Sequence, residues 1–193
     1  FVVQKKQFDV FVNAQADSQQ LWLKATKFSA KAGQFACLPD HAGRMTSAVV
    51  VIGETPLWDI APAAQDLPAG SWHPDLTFAA DIAVGDIQLG WGLAQYKFAP
   101  HKTTDIYAGL PRLALSDEAV CAESSALVLG THITREMVNL PANQMSPAGI
   151  EQAAREIAQA CSASFSVVNG EKLKSYAPAL HIVGRAAEIG PRM

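Results

Sequence analysis

Side chains that could bind a metal ion or act as nucleophiles are scattered along this sequence. The histidines lie far apart and form no H-E-x-x-H pair, which would place two imidazoles on one helix face for zinc: His41, His73, His101, His132 and His181. The cysteines are equally separated and form no C-x-x-C motif: Cys37, Cys121 and Cys161. We therefore expect the histidines to be surface or packing residues and the cysteines to be buried structural thiols.

Carboxylates, which a pair of catalytic metal ions needs in number, become scarce in the second half of the chain. No aspartate follows Asp117, and the carboxylates beyond Pro147 are four glutamates: Glu151, Glu156, Glu171 and Glu188. The spacing of Glu151 and Glu156 on a predicted helix does not place them on one face, so we interpret both as solvated surface charges. We interpret Lys172 and Lys174 likewise as charges on a helix surface.

Composition excludes several kinds of partner. The net charge is −3, with 49% hydrophobic and 17% charged residues, a globular balance without a broad basic field for nucleic acid or anionic lipid. Two small basic groups, Lys5–Lys6 and the set Lys97, His101 and Lys102, are interpreted as solvated faces. The segment 53–56 reads G-E-T-P rather than G-x-G-x-x-G, which gives dinucleotide binding little support. The longest apolar run, 48–52, has the length of a strand and not of a membrane span.

The chain termini and cysteines indicate the context of the protein. Three cysteines at wide spacing favour a reduced, cytoplasmic protein. The N-terminal stretch lacks the architecture of a signal peptide. Because the first residue is Phe1 rather than Met, and Gly190–Met193 end the sequence without a cap or tail, we expect it to be a piece of a longer protein.

Residues 1–116 are predicted to form a mixed α/β domain. The segments 34–38 and 46–52 flank a Gly-containing turn and predict a β-hairpin, whose second strand is nearly all apolar and therefore buried on both faces. Further elements are predicted as a helical turn over 57–65, strands over 70–73 and 112–115, and a helix over 78–98. Gly85, Gly90 and Gly92 weaken that helix prediction and would allow close packing on a sheet.

Residues 117–193 predict a long helix followed by a second, incomplete α/β unit. The long helix covers 117–139, with an apolar stripe formed by Ala126, Leu129, Ile133, Met137 and Leu140. Leu140–Pro141 ends it, and Ser146–Pro147 caps and starts the next helix. The inner face of that helix is predicted from Ile150, Ala153, Ala154 and Ile157. A strand over 164–168, a helix over 171–176 and a strand over 179–183 should follow.

Four sequence phrases resemble one known family. The first, Arg135–Pro147, reads R-E-M-V-N-L-P-A-N-Q-M-S-P. It resembles R-x-L/M-V-N-x-P-A-N-x-M-x-P, the junction between the two domains of the leucyl (cytosol) aminopeptidases. V-G-R-A at 183–186, followed by Pro191–Arg192, resembles the V-G-x-A-S and P-R-L of that family, with Ala187 in place of Ser. In the family this stretch leads into the first core strand of the catalytic domain. The segments 90–98 and 66–72 resemble its G-W-x-L-x-x-Y-x-F helix and L-P-x-G phrase.

The resemblance implies a fold and a division of the chain. It implies an N-terminal α/β domain with a mixed sheet of the macro-domain type and flanking helices, then a long linker helix, then a partial second α/β unit. We accordingly assign 1–116 to an accessory domain, 117–146 to a connecting helix and hinge, and 147–193 to the truncated beginning of a catalytic domain.

The resemblance also implies a chemistry. Members of this family remove the N-terminal amino acid of a peptide with two divalent metal ions, zinc or manganese. Their ligands are mostly aspartates, with one glutamate and one lysine, and several lie in an N-T-D-A-E-G-R-L phrase. That phrase is absent from this sequence. We therefore predict no catalytic, cofactor-binding or metal-binding residue in this chain, and no activity or bound metal in the fragment alone.

Two functional hypotheses follow. In the first, the chain is the non-catalytic N-terminal portion of a cytoplasmic aminopeptidase. Its partners are then its own catalytic domain and other copies in a homo-oligomer, commonly a hexamer in the family, with a peptide substrate only in the full-length enzyme and neither membrane nor nucleic acid expected. In the second, the chain is a stand-alone interaction module or a small-molecule, nucleotide-binding α/β module.

Overall fold

Strand β3 (Met45–Ile52) is the central element of the N-terminal part of the chain. The computed structural model describes residues 1–100, 105–186 and 190–193. It divides into two units, Phe1–His132 and Ile133–Met193, and each is described by itself. The division falls inside the helix that the sequence analysis assigns to the connection between the two domains. The domain boundaries given there remain a prediction.

The first unit alternates short strands and helices. In chain order its elements are β1 (Val2–Gln4), a 3₁₀ turn (Lys5–Gln7), α1 (Phe8–Asn13), α2 (Asp17–Ala25), β2 (Phe35–Pro39), β3, α3 (Pro56–Asp59), α4 (Ala61–Asp66), β4 (Gly70–Trp72), α5 (Val84–Ala94), β5 (Pro111–Leu113) and the larger part of α6 (Glu118–Asn139). Pro62 lies in the first turn of α4, where a missing N–H costs no helix hydrogen bond, so the helical turn predicted over 57–65 forms as two short helices.

The main sheet is mixed, as predicted. Its order is β1-β3-β2, with β1 parallel to β3 (Val2 opposite Val50) and β2 antiparallel to β3 (Phe35 opposite Val50). The predicted hairpin is therefore confirmed. At its turn, Asp40 Oδ1 accepts hydrogen bonds from the backbone N–H groups of Arg44 (2.9 Å) and Ala42 (2.8 Å). The bond from the Arg44 backbone is the largest cause that lowers the Asp40 pKa. A second sheet pairs β4 and β5 in parallel.

Both faces of β3 are buried, which confirms the prediction made from its apolar run. On one face Ala48, Val50 and Ile52 join a core with residues of α4 and α5, including Ile87 and Trp91. On the other face Val49 joins a second core built from Val3, Phe11, Leu23 and Leu38. The ring of Phe11 lies edge-on to that of Phe78, with centroids 5.4 Å apart.

The two outer strands of the main sheet have their edges covered. On the β2 edge, Trp22 Nε1 donates to the Cys37 carbonyl (3.0 Å) and Gln19 Nε2 donates to the Pro39 carbonyl (3.2 Å). On the β1 edge, the N–H groups of Val2 and Gln4 donate to carbonyls in the segment 75–78, at 2.8 and 3.0 Å. Covered edges leave few main-chain groups for pairing with another strand.

Helix α5 is shorter than predicted, and its glycines allow close packing on helices rather than on a sheet. A Cβ added at Gly90 would lie 2.0 Å from the Leu57 carbonyl oxygen, and one at Gly92 would lie 2.5 Å from Val128 Cγ2. These two positions therefore bring α5 against α3 on one side and against α6 on the other.

Helix α6 forms as predicted, but the predicted apolar stripe is wrong in the first unit. Leu129 is 62% exposed and Ala126 is also exposed. The face that meets α5 is instead lined by Ser124, whose hydroxyl donates to the Gly85 carbonyl (3.3 Å), and by Val128 against Gly92. Ser124 and Val128 approach α5 closely because the residues opposite them, Gly85 and Gly92, have no side chains.

The second unit is helical where the sequence predicts two strands. It holds the end of α6, then α7 (Pro147–Ala160), α8 (Gly170–Tyr176) and α9 (Pro178–Gly184). The strand predicted over 179–183 is wrong, because this segment is α9, started by Pro178 at its first turn. The strand predicted over 164–168 is also wrong, since only Val168 forms backbone hydrogen bonds with a partner segment, at Met193.

The start of α7 is as predicted, with Ser146 Oγ accepting from the Gly149 N–H at 3.3 Å. Its predicted inner face is only half covered, because Ile150 and Ile157 are 50% and 42% exposed while Ala158 is buried. In the parts of the chain that the structure describes, no helix combines the length and apolar character needed to cross a bilayer.

The tight approach at Gly90 yields a testable prediction. Gly90→Ala should lower the free energy of unfolding by about 2 kcal/mol or more, because the added methyl meets a backbone carbonyl that cannot rotate away. Gly130→Ala is the matched control: its Cβ meets no atom within 4 Å. That substitution should raise stability by about 0.5–1 kcal/mol through helix propensity. Urea denaturation of both variants measures the difference, and an unchanged Gly90→Ala midpoint would contradict the packing described here.

Candidate functional site

The histidines do not come together. His41 and His73 are exposed, and His181 is partly buried in α9. His132 Nε2 lies 3.1 Å from the Gly92 carbonyl, and its ring lies 5.2 Å from that of Tyr96. His101 lies outside the described residues. Within 1–100, 105–186 and 190–193 there is no group of three or more His, Cys, Asp or Glu side chains that could hold a metal ion.

The cysteines offer no activated thiol. Burial raises the pKa of the Cys37 thiol in β2, which keeps it protonated and a poor nucleophile. Cys121 is partly buried in α6. Cys161, at the end of α7, is exposed, so the prediction of buried structural thiols is wrong at this position.

The lysines that the sequence singles out behave as surface charges where the structure describes them. Lys6 forms an exposed ion pair with Asp81 at 3.2 Å, and Lys174 lies 3.7 Å from Glu171, again at the surface. Lys172 is exposed. Lys97 Nζ donates to the Ile106 carbonyl at 3.1 Å. Lys102 falls in an undescribed stretch.

A groove lies where the parallel strands β1 and β3 end. It encloses about 570 Å³ and is lined by Gln4, Lys5, Lys6, Ile52, Gly53 and Glu54. In open α/β sheets ligands bind outside the carboxyl ends of the strands, so this is the place where a nucleotide would be sought. This position suits the hypothesis of a small-molecule module.

The loop beside this groove is already occupied by a carboxylate of the chain itself. Asp59, at the end of α3, accepts a hydrogen bond from the Gly53 N–H through Oδ2 (2.8 Å) and one from Thr55 Oγ1 through Oδ1 (3.2 Å). Because donors that follow a strand are the groups that would bind a phosphate, a carboxylate on them competes with an anionic ligand. The loop is therefore built as a closed structural turn.

The second unit contains a different kind of concavity. A cleft of about 330 Å³ lies between α7, α9 and the segments around 165–167 and 191–193. Its lining is almost entirely apolar: Pro147, Ile150, Ala154, Phe165, Val167, Leu180, Val183, Gly184, Pro191 and Met193, with Glu151, Ser166 and Arg192. Val183 is 79% exposed and Ile182 58%. Such a surface suits burial against polypeptide better than recognition of a polar substrate.

Glu151 borders this cleft and is not the solvated charge that the sequence predicts. Its side chain is 19% exposed, and its two oxygens lie 2.6 Å from Arg155 Nη2 and 2.9 Å from Arg192 Nη1. Arg155 in turn lies over the Phe165 ring, 4.8 Å from its centroid. Helix periodicity could not reveal this, because Arg192 is distant in sequence. Glu156 is exposed as predicted, Glu171 is also exposed, and Glu188 and Ala187 lie outside the described residues.

A comparison with known protein families finds a match over most of the first unit. A family model described as the N-terminal domain of M17 aminopeptidases matches residues 2–115, which is more than half of the chain. Among curated proteins, no sequence is similar enough to count as a match.

Solved structures share the fold. The 1.8 Å crystal structure of the cytosol aminopeptidase from Coxiella burnetii superposes with a TM-score of 0.86 and 23% identity, over 99% of this chain and 42% of that one. The bottromycin maturation enzyme BotP gives a TM-score of 0.73 and 22% identity, over 89% of this chain and 41% of that one. BotP is also known in complex with Mn. This chain thus spans about two fifths of the length of the structures it matches.

The closed loop after β3 yields a testable prediction. Asp59→Ala should lower the free energy of unfolding by about 1–3 kcal/mol, because it leaves the part-buried Gly53 N–H without an acceptor. Glu54→Ala, in the same loop, is the control and should change stability by less than about 0.5 kcal/mol. Thermal unfolding compares the two variants.

The same loop decides between the two functional hypotheses. Titration calorimetry of the unaltered chain with ADP-ribose or ATP should give no binding heat, because Asp59 occupies the donors. Tight nucleotide binding would contradict this interpretation and favour the small-molecule module.

Proposed function

The chain belongs to the M17 aminopeptidase family, whose N-terminal domain it carries at residues 2–115, and we propose that it is the non-catalytic N-terminal part of a leucyl-aminopeptidase-like enzyme. The observation that carries the proposal is the family match over a unit whose described residues hold no metal-binding cluster. The Asp59-filled loop supports an assembly role over nucleotide binding.

The proposed activity of the whole enzyme is removal of N-terminal amino acids from peptides. Two divalent metal ions, zinc or manganese, would activate the attacking water and polarise the scissile carbonyl. The complex of BotP with Mn is in keeping with a metal requirement in related proteins. The described residues of this chain do not fit such a centre, and we propose that its ligands lie in polypeptide outside this chain.

We further propose the division of labour within the chain. Residues 1–116 form an accessory domain, 117–146 the connecting helix and hinge, and 147–193 the beginning of the catalytic domain. The first unit has its sheet edges covered and its loop donors paired, which suits a structural part. The second unit exposes an apolar cleft with Val183 at its rim, which suits a segment that the remainder of a domain covers.

The partner of that cleft is therefore proposed to be the catalytic domain of the same protein. An apolar surface of this kind is stabilised when other apolar side chains exclude water from it, at about 25 cal/mol per Å². A homo-oligomer, of which a hexamer is the family's common form, and a cytoplasmic location are part of the same proposal.

The proposal predicts where activity resides. The 193-residue chain should not hydrolyse leucine p-nitroanilide with Mn²⁺ or Zn²⁺. The protein extended by the following coding sequence should do so, and EDTA should abolish its turnover. Steady-state assays of the two proteins at equal concentration make the comparison. Robust metal-dependent turnover by the 193-residue chain alone would overturn the proposal, as would an inactive, fully metallated long form.

The apolar cleft gives a second test. The 193-residue chain should enhance the fluorescence of 8-anilinonaphthalene-1-sulfonate, and Val183→Ser together with Leu180→Ser should reduce the enhancement because the dye loses its apolar contacts. Leu127→Ser, which alters an exposed residue of α6 that does not line the cleft, is the control. The extended protein should bind less dye per chain. Equal dye binding by the short and extended proteins would contradict burial of the cleft by the catalytic domain.

A further inference from the structure

The segment Pro191–Met193 is held in a defined place in the second unit. Its backbone pairs with Val168, whose N–H donates to the Met193 carbonyl (2.6 Å) and whose carbonyl accepts from the Met193 N–H (2.9 Å). Pro191 is buried against α9, where a Cβ at Gly184 would lie 2.2 Å from Pro191 Cβ. Two short backbone bonds and one proline contact fix a three-residue segment weakly, because each exposed bond contributes little on its own.

A carboxylate adds the charged contact. Glu151 Oε2 lies 2.9 Å from Arg192 Nη1, and both side chains are about one-fifth exposed. The Arg192 Nε is buried and has no hydrogen-bond partner in the parts of the chain that the structure describes. The guanidinium therefore depends on Glu151, and losing that carboxylate would leave a largely buried cation without its counter-charge.

The second guanidinium fixes Glu151 itself. Arg155, one helical turn along α7, lies 2.6 Å from Glu151 Oε1 and stacks over Phe165. Glu151 thus holds one oxygen toward its own helix and the other toward Arg192. The contact with Arg155 is a charge-assisted hydrogen bond, which is shorter and stronger than a neutral one, and the contact with Arg192 is an ion pair.

We propose that Glu151 is a positioning residue: it fixes Pro191–Met193 on α7 and so sets the direction in which the chain enters the core of the catalytic domain. This rests on the proposed function, because the family resemblance places the first core strand after the P-R phrase. Glu151 acts only through Arg192 and not by contact with the substrate.

Hydrogen exchange in the 193-residue chain tests the positioning itself. Glu151→Gln keeps the size of the side chain and removes its charge. It should reduce the protection of the Val168 and Met193 amides by about tenfold or more, with little change at buried amides of β3. Glu156→Gln is the matched control on the same helix, since Glu156 accepts only an exposed bond from Gln152 at 2.7 Å. Unchanged protection in Glu151→Gln would overturn the proposal.

Variants of Arg192 separate charge from packing. Arg192→Lys should retain part of the hydrogen-exchange protection of the Met193 amide. Arg192→Met, which keeps an apolar stem, should lose as much of this protection as Glu151→Gln does. The double variant Glu151→Gln/Arg192→Met should lose no more than either single variant, because both remove one interaction. Equal protection in Arg192→Met and the unaltered chain would show that packing alone holds the segment.

The extended protein then links the position to the reaction. Glu151→Gln should lower kcat/KM for leucine p-nitroanilide by about tenfold while Glu156→Gln does not. If the unaltered extended protein is inactive, the proposed function fails and the exchange measurement still decides the role of Glu151. If exchange changes and kcat/KM does not, Glu151 holds the segment without positioning the active site, and the inference is overturned.

Discussion

The burial of β3 on both faces is the constraint on which the rest of the first unit depends. A strand that must exclude water on two sides needs two separate layers, and here α4 and α5 supply one while α1 and α2 supply the other. Because the alternate residues Ala48, Val50 and Ile52 face one layer and Val49 the other, a shift of one residue in register would exchange the two cores. The parallel partner β1 and the antiparallel partner β2 fix that register from both sides.

The layer formed by α4 and α5 in turn requires close helix packing. Helix α5 lies between α3 and α6, and its glycines at 90 and 92 remove the side chains that would hold these helices apart. Side chains also satisfy main-chain groups at the sheet edge and in the loop after β3, where Trp22, Gln19 and Asp59 form hydrogen bonds with them. A loop whose Gly53 N–H and Thr55 hydroxyl are paired with Asp59 has fewer donors left with which to recognise a ligand, and this agrees with the proposed role as a structural part of a larger enzyme.

The sequence predicts those parts of the fold that depend on local composition. The run of β-branched residues in β3, the Gly-containing hairpin turn and the Ser-Pro start of α7 each carry a local physical signal, and each forms as predicted. The strand predicted over 179–183 fails because a short apolar run fits strand and helix equally, and Pro178 decides for the helix. The predictions for the buried face of α6 and for Glu151 are wrong for another reason. Both depend on partners distant in the chain, Gly92 and Arg192.

The second unit differs from the first in what it leaves unsatisfied. Its ion pairs place Glu151 between Arg155 and Arg192, while several of its apolar side chains are uncovered, as the exposure of Ile150, Ile182 and Val183 makes plain. Ion pairs are directional and contribute orientation, whereas apolar contact is non-directional and contributes most of the free energy of association. A segment whose ion pairs fix an orientation and whose apolar side chains are exposed is suited to receive further polypeptide in one orientation. Under the proposed function, this is what the described part of residues 147–193 supplies to an aminopeptidase.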